Sequence, residues 1–222
     1  MQDLKDWKGA LPPAPVTLRG QYVTLEPLDA ARHSADLWQA VEGHDELWTW
    51  LPEGPFATVA EFRALVEKKQ TAPGFVFLAI VPAATGRATG WASLMRPDPA
   101  NGVIEVGFIL YSPALQRARE ATEAMYLMTR HVFEDLGYRR YEWKCNALNE
   151  PSRRAALRLG FTFEGIFRQH MVVKGQNRDS AWFSMLDSEW PARKQAFEAW
   201  LAPGNFDEAG RQRSCLRDIG PT

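Results

Sequence analysis

The sequence predicts an α/β (α+β) protein with one mixed, mostly antiparallel central sheet of about seven strands, flanked by helices. Three observations predict it. Short turns at 84–87 and 97–102 join three apolar segments, as in an antiparallel meander. The hydrophobic period then changes to that of a helix over 118–136, followed by a further strand and a further helix. A strand–helix–strand connection produces a parallel pair, so the sheet must be mixed.

Caps and turns set the boundaries of the predicted elements. Asp29, Thr58 and Asn149 are suited to be N-caps, and Gly137 and Gly160 are suited to end helices. Apolar or alternating segments bounded by turn residues predict strands. The predicted strands are 21–28, 74–81, 88–95, 103–110, 138–147, 161–173 and 180–188, the last two joined by a turn at 174–179. The predicted helices are 29–42, 59–71, 118–136, 149–160 and 191–201.

The chain is predicted to consist of an arm, one domain and a tail. Residues 1–17 contain three prolines and form an N-terminal arm, ordered only if it docks. Residues 18–202 form the domain, and the polar residues 203–222 form the C-terminal tail. The aromatic cluster at 47–52 is too apolar for a solvated loop, which predicts that it lines or covers a site.

Composition and charge exclude several classes of protein. The 222 residues carry 26 basic and 27 acidic side chains, a net charge of −1, which argues against a nucleic-acid partner. No apolar run reaches about eighteen residues, so no membrane span is expected. The N-terminus lacks the apolar core of a signal peptide, and two cysteines are too few for a disulfide framework. We therefore expect a cytoplasmic protein without membrane or nucleic-acid partners.

The charge is unevenly distributed along the chain. Residues 115–158 hold nine basic and six acidic side chains, whereas residues 1–114 hold nine and thirteen. The central basic excess favours an anionic ligand. The acidic excess of the first half would fit a basic acceptor molecule.

The first candidate site is the start of the helix predicted near 118. This helix follows the strand 103–110, so its unpaired N–H groups and the positive end of its dipole lie near the strand end. A diphosphate fits such a site, and Arg117 and Arg119 would add positive charge. The alternative is a surface helix start with solvated arginines. The segment comprises Gln116, Arg117, Ala118, Arg119, Glu120 and Ala121.

The second candidate site lies where the strand 138–147 meets the next helix. Asn149 leaves the strand end, and Ser152 lies in the first helical turn. A parallel strand pair that separates here would expose both polar groups in a slot. The alternative interpretation is local, with Asn149 as an N-cap and Ser152 as its capping partner.

Together these two sites resemble the GNAT superfamily of N-acetyltransferases, in the branch similar to the RimJ/RimL ribosomal-protein acetyltransferases. The resemblance covers about residues 18–190. Its strand motif, glutamate–apolar–glycine, is present as Glu105-Val106-Gly107. Four further matching segments occur in the same strand–helix order: Ala121–Ala124, Phe133–Arg140, Asn149–Arg153 and Leu159–Gly165.

The chain departs from the family at the predicted diphosphate loop. That branch commonly has the pattern Gln-Gly-x-Gly-x-Ala, whereas Arg117 and Arg119 occupy both glycine places here. Glycine lets backbone approach phosphate without a side chain in the way. We expect the arginines to adopt right-handed helical dihedrals, which keeps the N–H groups available while the side chains swing aside or bind phosphate.

The resemblance implies a sheet in which the parallel strands splay and the pantetheine arm of acetyl-CoA lies in the gap. Backbone groups of Phe108, Ile109 and Leu110 would pair with this arm and polarise the thioester carbonyl. A primary amine, on a small molecule or a protein N-terminus, would attack directly. The implied activity is acetyl-CoA-dependent N-acetyl transfer; the alternative is a non-catalytic acyl-CoA-binding or interaction module.

Glu105 and Ser152 are the catalytic candidates under this mechanism. Glu105 would take the proton of the acceptor ammonium. Ser152 would donate to the departing CoA thiolate, while Asn149 holds the pantetheine amides. The alternatives are a strand-surface or ion-paired glutamate at 105 and capping roles for Asn149 and Ser152.

The alternation of side chains along the strand gives Glu105 a definite face. A period of two places it with Gly107 and Ile109, opposite Phe108. A lone charge in an apolar strand is costly unless it faces a wet cleft. We therefore expect Glu105 to border an open, hydrated acceptor site.

Three aromatic residues are expected to form a lid on the acceptor side, namely Trp48, Trp50 and Phe56. Cys145 is interpreted as a buried, inert thiol. The four histidines show no metal-ligand spacing, so no metal is expected. A homodimer through the late hairpin and the last helix is compatible with the sequence.

Overall fold

The computed structural model describes residues 3–219 and shows one eight-stranded sheet in the order β1-β2-β3-β4-β5-β6-β8-β7. The first two residues of the predicted arm and the last three of the predicted tail lie outside the described range. The strands are β1 (Leu18–Arg19), β2 (Val23–Pro27), β3 (Phe75–Pro82), β4 (Gly90–Asp98), β5 (Val103–Tyr111), β6 (Arg140–Asn146), β7 (Thr162–Val173) and β8 (Gln176–Leu186). The α-helices are α1 (Ala30–Val41), α2 (Val59–Gln70), α3 (Arg119–Arg130), α4 (Glu150–Arg158) and α5 (Trp190–Leu201).

The predicted fold class is confirmed, with one more strand than expected. The extra strand is the two-residue β1, which is too short to give a periodic signal. Only β5 and β6 run parallel; the other strand pairs are antiparallel. The turn predicted at 174–179 is shorter, because Lys174 and Gly175 both have positive φ and close a two-residue hairpin.

The predicted N-caps are also confirmed. Asp29 accepts from the N–H of Arg32 at 2.8 Å, and Asn149 accepts from the N–H of Ser152 at 3.1 Å. Thr58 caps α2 in the same way. The helix predicted over 118–136 consists of α3 and a wider π-helical turn, His131–Asp135, that ends before Gly137.

The helices cover the two faces of the sheet unequally. α3, α4 and α5 pack on one face, the α3 face, where alternate β3 and β5 residues such as Leu78 and Val106 are buried. α1 and α2 pack on the other, the α1 face, over Phe77 and Trp91. Beside these two helices, the α1 face carries an open groove of about 510 Å³ whose lining includes residues of β6, β7 and β8.

The N-terminal arm is docked rather than extended. The Trp7 indole N–H donates to the carbonyl of Ala100 at 2.7 Å, and the N–H of Leu11 donates to Leu136 at 2.8 Å. The Arg139 guanidinium lies 5.3 Å from the Trp7 ring. These contacts tie the arm to the β4–β5 turn and to the end of the π-helical turn after α3.

Glu123 fixes α3 against the first two strands. Its side chain is buried, and its carboxylate accepts three backbone hydrogen bonds, from Gln21 (2.8 Å), Tyr22 (2.6 Å) and Val23 (2.8 Å). A Cβ atom at Gly20 would lie 2.5 Å from this carboxylate, so glycine is required there for close approach. The start of α3 is thereby held at one place on the sheet.

We predict that Glu123→Ala lowers the free energy of unfolding by about 3 kcal/mol, because three backbone N–H groups, two part-buried and one buried, lose their acceptor. Glu67→Ala is the control: Glu67 is exposed and pairs with Arg63 one turn earlier, so about 0.5 kcal/mol is expected. Urea denaturation followed by circular dichroism measures both. Equal stability of the two variants would contradict the role of Glu123 in fixing α3 against the first two strands.

Candidate active site

The sheet opens between β5 and β6. The parallel ladder begins at Val103 and Arg140 and ends at Val106 and Trp143, although both strands continue. We call the gap beyond this last pair the fork. Phe108, Ile109 and Leu110 therefore have no β6 partner in the ladder. The fork is the splayed parallel pair that the family resemblance implied.

A β-bulge at Phe108 shapes one side of the fork. Gly107 pairs with Ser93 of β4, but the next pair is Leu110 with Trp91, so two β5 residues oppose one β4 residue. Phe108 has φ 49°, in the left-handed region. The carbonyl of Gly107 is held by the Ser93 hydroxyl at 2.9 Å.

The bulge overturns the predicted alternation of faces. Phe108 packs with the residues of the α1 face, on the same side as Glu105 and Gly107. Ile109, expected beside Glu105, packs against the core of the α3 face instead. The physical reason is that the extra residue of a bulge shifts the period of two by one place.

The predicted diphosphate loop adopts a backbone conformation that favours glycine, although the loop contains no glycine. Arg117 has φ 61°, so the expectation of right-handed dihedrals is wrong for this residue. Ala118 is extended and precedes the first turn of α3, whose N–H groups receive no side-chain cap among the described residues. Gln116 closes the loop by donating to the carbonyl of Tyr111 at 3.3 Å. The uncapped helix start thus remains available to an anion.

The two arginines of this loop have different roles. Arg119, expected to add charge at the phosphate site, stacks on Tyr22 at 4.1 Å and on Phe206 at 5.6 Å, and it contacts Glu120. Its guanidinium is therefore engaged by the turn before β2 and by the tail. Arg117 makes no hydrogen bond or ion pair with other described residues. Ala121, the last residue of the segment, is buried in the core of the α3 face.

Ser152 and Asn149 lie beside the fork on α4. The Ser152 hydroxyl accepts from the Trp143 indole N–H at 3.0 Å and lies within hydrogen-bonding reach of the Cys145 thiol. Asn149 uses its side-chain oxygen as the N-cap, as the alternative interpretation held, and its amide N–H₂ makes no hydrogen bond within residues 3–219. The Cys145 thiol is buried, and burial raises its pKa, in agreement with an inert thiol.

Glu105 is on the α1 face next to the fork but does not border an open cleft. Its side chain is only 2% exposed, so the expected hydrated environment is wrong. Lys144 and Arg96 each approach its Oε2 atom at 3.4 Å, longer than the roughly 2.7–2.9 Å of a close charge-assisted hydrogen bond. The carboxylate is neutralised by cations rather than by water.

Burial sets the titration of this group. It raises the pKa of Glu105, and the charges of Lys144 and Arg96 oppose the shift only in part. Burial likewise lowers the pKa of Lys144, with Glu105 opposing and Arg96 and Arg178 adding to the shift. A raised carboxyl pKa makes Glu105 a stronger base than an ordinary glutamate.

The predicted aromatic lid is mostly core. Trp48 is 3% exposed and packs edge-on against Phe56 at 5.1 Å. Trp50 is exposed on the surface of the loop. The loop is tied to the β7–β8 hairpin, because Lys174 at the hairpin tip donates to the carbonyl of Trp48 at 2.9 Å.

One buried lysine on the α1 face, Lys69, is absent from the site residues that the sequence predicts. Lys69 on α2 lies 4.5 Å from the Phe108 ring and 4.8 Å from the Phe77 ring, and it pairs with Glu53 at 3.0 Å. Burial lowers the pKa of its ammonium. The helical periodicity of α2 could have placed this lysine on the inner face, beside Leu65 and one turn after it.

The described residues hold neither a cluster of metal-ligating side chains nor a helix that could span a membrane. Among residues 3–219, no group of three or more histidine, cysteine, aspartate or glutamate side chains is arranged to hold a metal ion. None of the helices in the same range is long and apolar enough to cross a bilayer.

Comparison with known proteins points to one family. A family model described as an acetyltransferase (GNAT) domain matches residues 23–162. The structure of a GCN5-related N-acetyltransferase from Brucella melitensis is 52% identical, covers 97% of this chain and 99% of its own, and superposes with a TM-score of 0.95. The structure of an acetyltransferase from Chromobacterium violaceum, described as a probable member of the GNAT family, is 41% identical over 86% of this chain and 96% of its own, with a TM-score of 0.81.

A third similar protein extends the comparison to curated sequences. YdaF of Bacillus subtilis, which carries the name of a ribosomal N-acetyltransferase, is 29% identical over 109 residues. The match covers 49% of this chain and 59% of the relative's length.

We predict that Arg117→Gly raises the free energy of unfolding by about 0.5–1 kcal/mol. Glycine removes the left-handed strain of about 1–2 kcal/mol, offset by its greater freedom in the unfolded chain. Arg117→Ala retains the strain and is the control. Denaturation curves for both variants test the effect, and a glycine variant no more stable than the alanine variant would refute it.

Proposed function

The chain belongs to the GNAT acetyltransferase family and resembles its RimJ/RimL branch, and we propose that it transfers the acetyl group of acetyl-CoA directly to a primary amine. The fork between β5 and β6 carries the proposal, because it leaves strand edges unpaired in the middle of a sheet. Unpaired strand edges bind extended ligands through backbone hydrogen bonds.

Three features of the chain fit acetyl-CoA, which would supply an activated acetyl thioester. The uncapped N–H groups at the start of α3 suit the diphosphate. Arg117 is free to pair with phosphate. The β5 edge at Phe108, Ile109 and Leu110 suits the pantetheine amides, with the Asn149 amide on the opposite side of the fork.

The bulge at Phe108 is proposed to polarise the thioester carbonyl. Backbone N–H groups that point into a gap, held by surrounding structure, stabilise developing negative charge at no reorganisation cost. The Ser93–Gly107 hydrogen bond holds the backbone just before the bulge. Phe108 and its neighbours would therefore orient the reacting carbonyl as well as bind it.

Ser152 is proposed as the proton donor to the leaving thiolate. Its hydroxyl already accepts from Trp143, so its remaining hydrogen is the one that can be donated. Glu105 is proposed as the proton acceptor for the incoming amine, acting directly or through one water. Its position next to the fork and its raised pKa support this role.

The acceptor is proposed to be an amine on a small molecule or at a protein N-terminus. The name of YdaF favours a protein N-terminus, whereas the fold alone does not choose between them.

A cytoplasmic location, without nucleic-acid or membrane partners, belongs to the same proposal. The closed environment of Glu105 favours one alternative: a module that binds acyl-CoA without turnover.

We predict that calorimetry detects saturable acetyl-CoA binding and that a panel of primary amines includes at least one substrate. Ser152→Ala and Glu105→Gln should each lower kcat by about a hundredfold, because each removes one proton transfer. Acetyl-CoA affinity should change little in either variant. Thiol release measures turnover.

Ser188→Ala serves as the control, since Ser188 is exposed at the β8–α5 turn far from the fork. Binding without turnover of any amine would favour the non-catalytic module. Failure to bind acetyl-CoA would contradict both forms of the proposal.

We also propose a homodimer through β7, the edge strand next to β8. β7 is twelve residues long and mostly exposed, and it presents apolar side chains such as Ile166 and Val172, the latter 80% exposed. A long apolar edge strand is a template for pairing with another chain. Pairing with a second copy would extend the sheet across the dimer.

We predict that sedimentation equilibrium gives a dimer for the native chain and that Val172→Lys weakens it at least tenfold, because a lysine disfavours edge pairing. Leu157→Lys is the matched control, since Leu157 is an exposed apolar residue on α4. A monomeric native chain, or equal weakening by both variants, would refute the β7 interface.

A further inference from the structure

A cluster of cations lies on the α1 face beside the fork. Lys144 is the first β6 residue beyond the last ladder pair, and Arg96 reaches the same carboxylate, Glu105, from β4. Both cations rest on the ring of Trp182, Lys144 at 4.9 Å and Arg96 at 5.4 Å from its centroid. Arg178 on β8 follows, two residues before Ser180, on the same face as Trp182.

Positive charge exceeds negative charge in this cluster. Arg96 and Lys144 share the buried carboxylate of Glu105, and Arg178 adds a third positive charge without pairing with it. The next acidic groups are already occupied: Asp179 accepts from the N–H of Gln169 at 2.7 Å and from Asn177. Glu142 and Glu164 pair with Arg140 at the opposite end of β6.

Arg178 is the cation without a partner. It makes no ion pair or hydrogen bond with residues 3–219, and its Nε atom is buried and unsatisfied. Burial lowers its pKa, as expected for a guanidinium held away from water without a close counter-charge. Arg178 as a whole is only partly buried, so an anion can reach it and would supply the partner that its buried Nε–H group lacks.

The neighbouring histidine, His170, is affected by the charges of the same three cations. His170 packs against Trp182 at 5.8 Å and contacts the Ser180 hydroxyl. Burial and the charges of Lys144, Arg178 and Arg96 lower the pKa of its imidazole. The ring therefore stays neutral near pH 7 and leaves the excess charge to the three cations.

We infer that the acceptor amine carries an anionic group, a carboxylate or a phosphate, and that Arg178 together with Lys144 binds this group on the α1 face beside the fork. The inference rests on the proposed acetyl transfer and narrows its acceptor class. Arg178 would be a specificity-determining residue, and Glu105 would remain free to face the amine. Guanidinium groups bind both anions through paired hydrogen bonds.

Matched amines test this directly. An α-amino acid is compared with its amide, and O-phosphoethanolamine with ethanolamine, as acceptors for the native chain with acetyl-CoA. The anionic member of at least one pair should have a kcat/KM about tenfold or more higher, and which pair responds distinguishes carboxylate from phosphate. Equal use of charged and neutral amines would overturn the inference.

Arg178→Gln should remove that preference, mainly by raising KM for the anionic amine, while turnover of the neutral amine stays within about twofold. Arg178→Lys should restore part of it, which guards against a folding defect. Arg168→Gln is the control, because Arg168 is an exposed cation on the same hairpin outside the cluster. Equal effects of Arg178→Gln and Arg168→Gln would overturn the assignment of Arg178.

A binding measurement separates this inference from the proposed function. Calorimetry with the N-acetylated forms of the same amines, in the presence of CoA, reports the anion site without any chemistry. If no amine is acetylated but the N-acetylated anion still binds the native chain and not Arg178→Gln, the anion site stands and acetyl transfer fails. Absence of charge-dependent binding together with absence of charge-dependent turnover would overturn the inference.

Discussion

The early end of the hydrogen bonds between β5 and β6 is the constraint on which the rest of the site depends. A sheet interior normally satisfies every backbone group, so a gap in its middle must be supported from both sides. Here the last pair is Val106 with Trp143, and a bulge at Phe108 bends β5 away just beyond it. The gap gives an extended ligand access to both faces of one sheet.

The α3 face and the α1 face then have separate tasks. On the α3 face, the Glu123 carboxylate binds the turn before β2 and holds the start of α3 near the end of β5. Arg119 strengthens the same junction by stacking between Tyr22 and Phe206. The position of the uncapped helix start is therefore fixed by contacts that other elements make.

The charged residues of the α1 face fall into two groups with different surroundings. Under α1 and α2, the buried Lys69 lies among aromatic rings and pairs with Glu53. Over β6 and β8 the face is open: Arg96, Glu142 and Trp182 line the groove, whereas Lys144 and Glu105 are buried. The central basic excess of the sequence is divided between the faces, since Arg117 precedes α3 and Lys144 lies on the α1 face. The acidic excess of the first half has no counterpart around Glu105, whose charged neighbours include the cations Arg96 and Lys144.

The sequence by itself determined the order of the elements, the meander, the parallel pair and the caps at Asp29, Thr58 and Asn149. These are local properties, because hydrophobic period and capping residues act within a few positions of the chain. Tertiary structure alone decided the bulge that turns Phe108 toward Glu105. It also decided the partners of Glu105, which come from β4 and β6. Such contacts depend on which strands become neighbours and in which register, and a one-residue shift in register reverses every face.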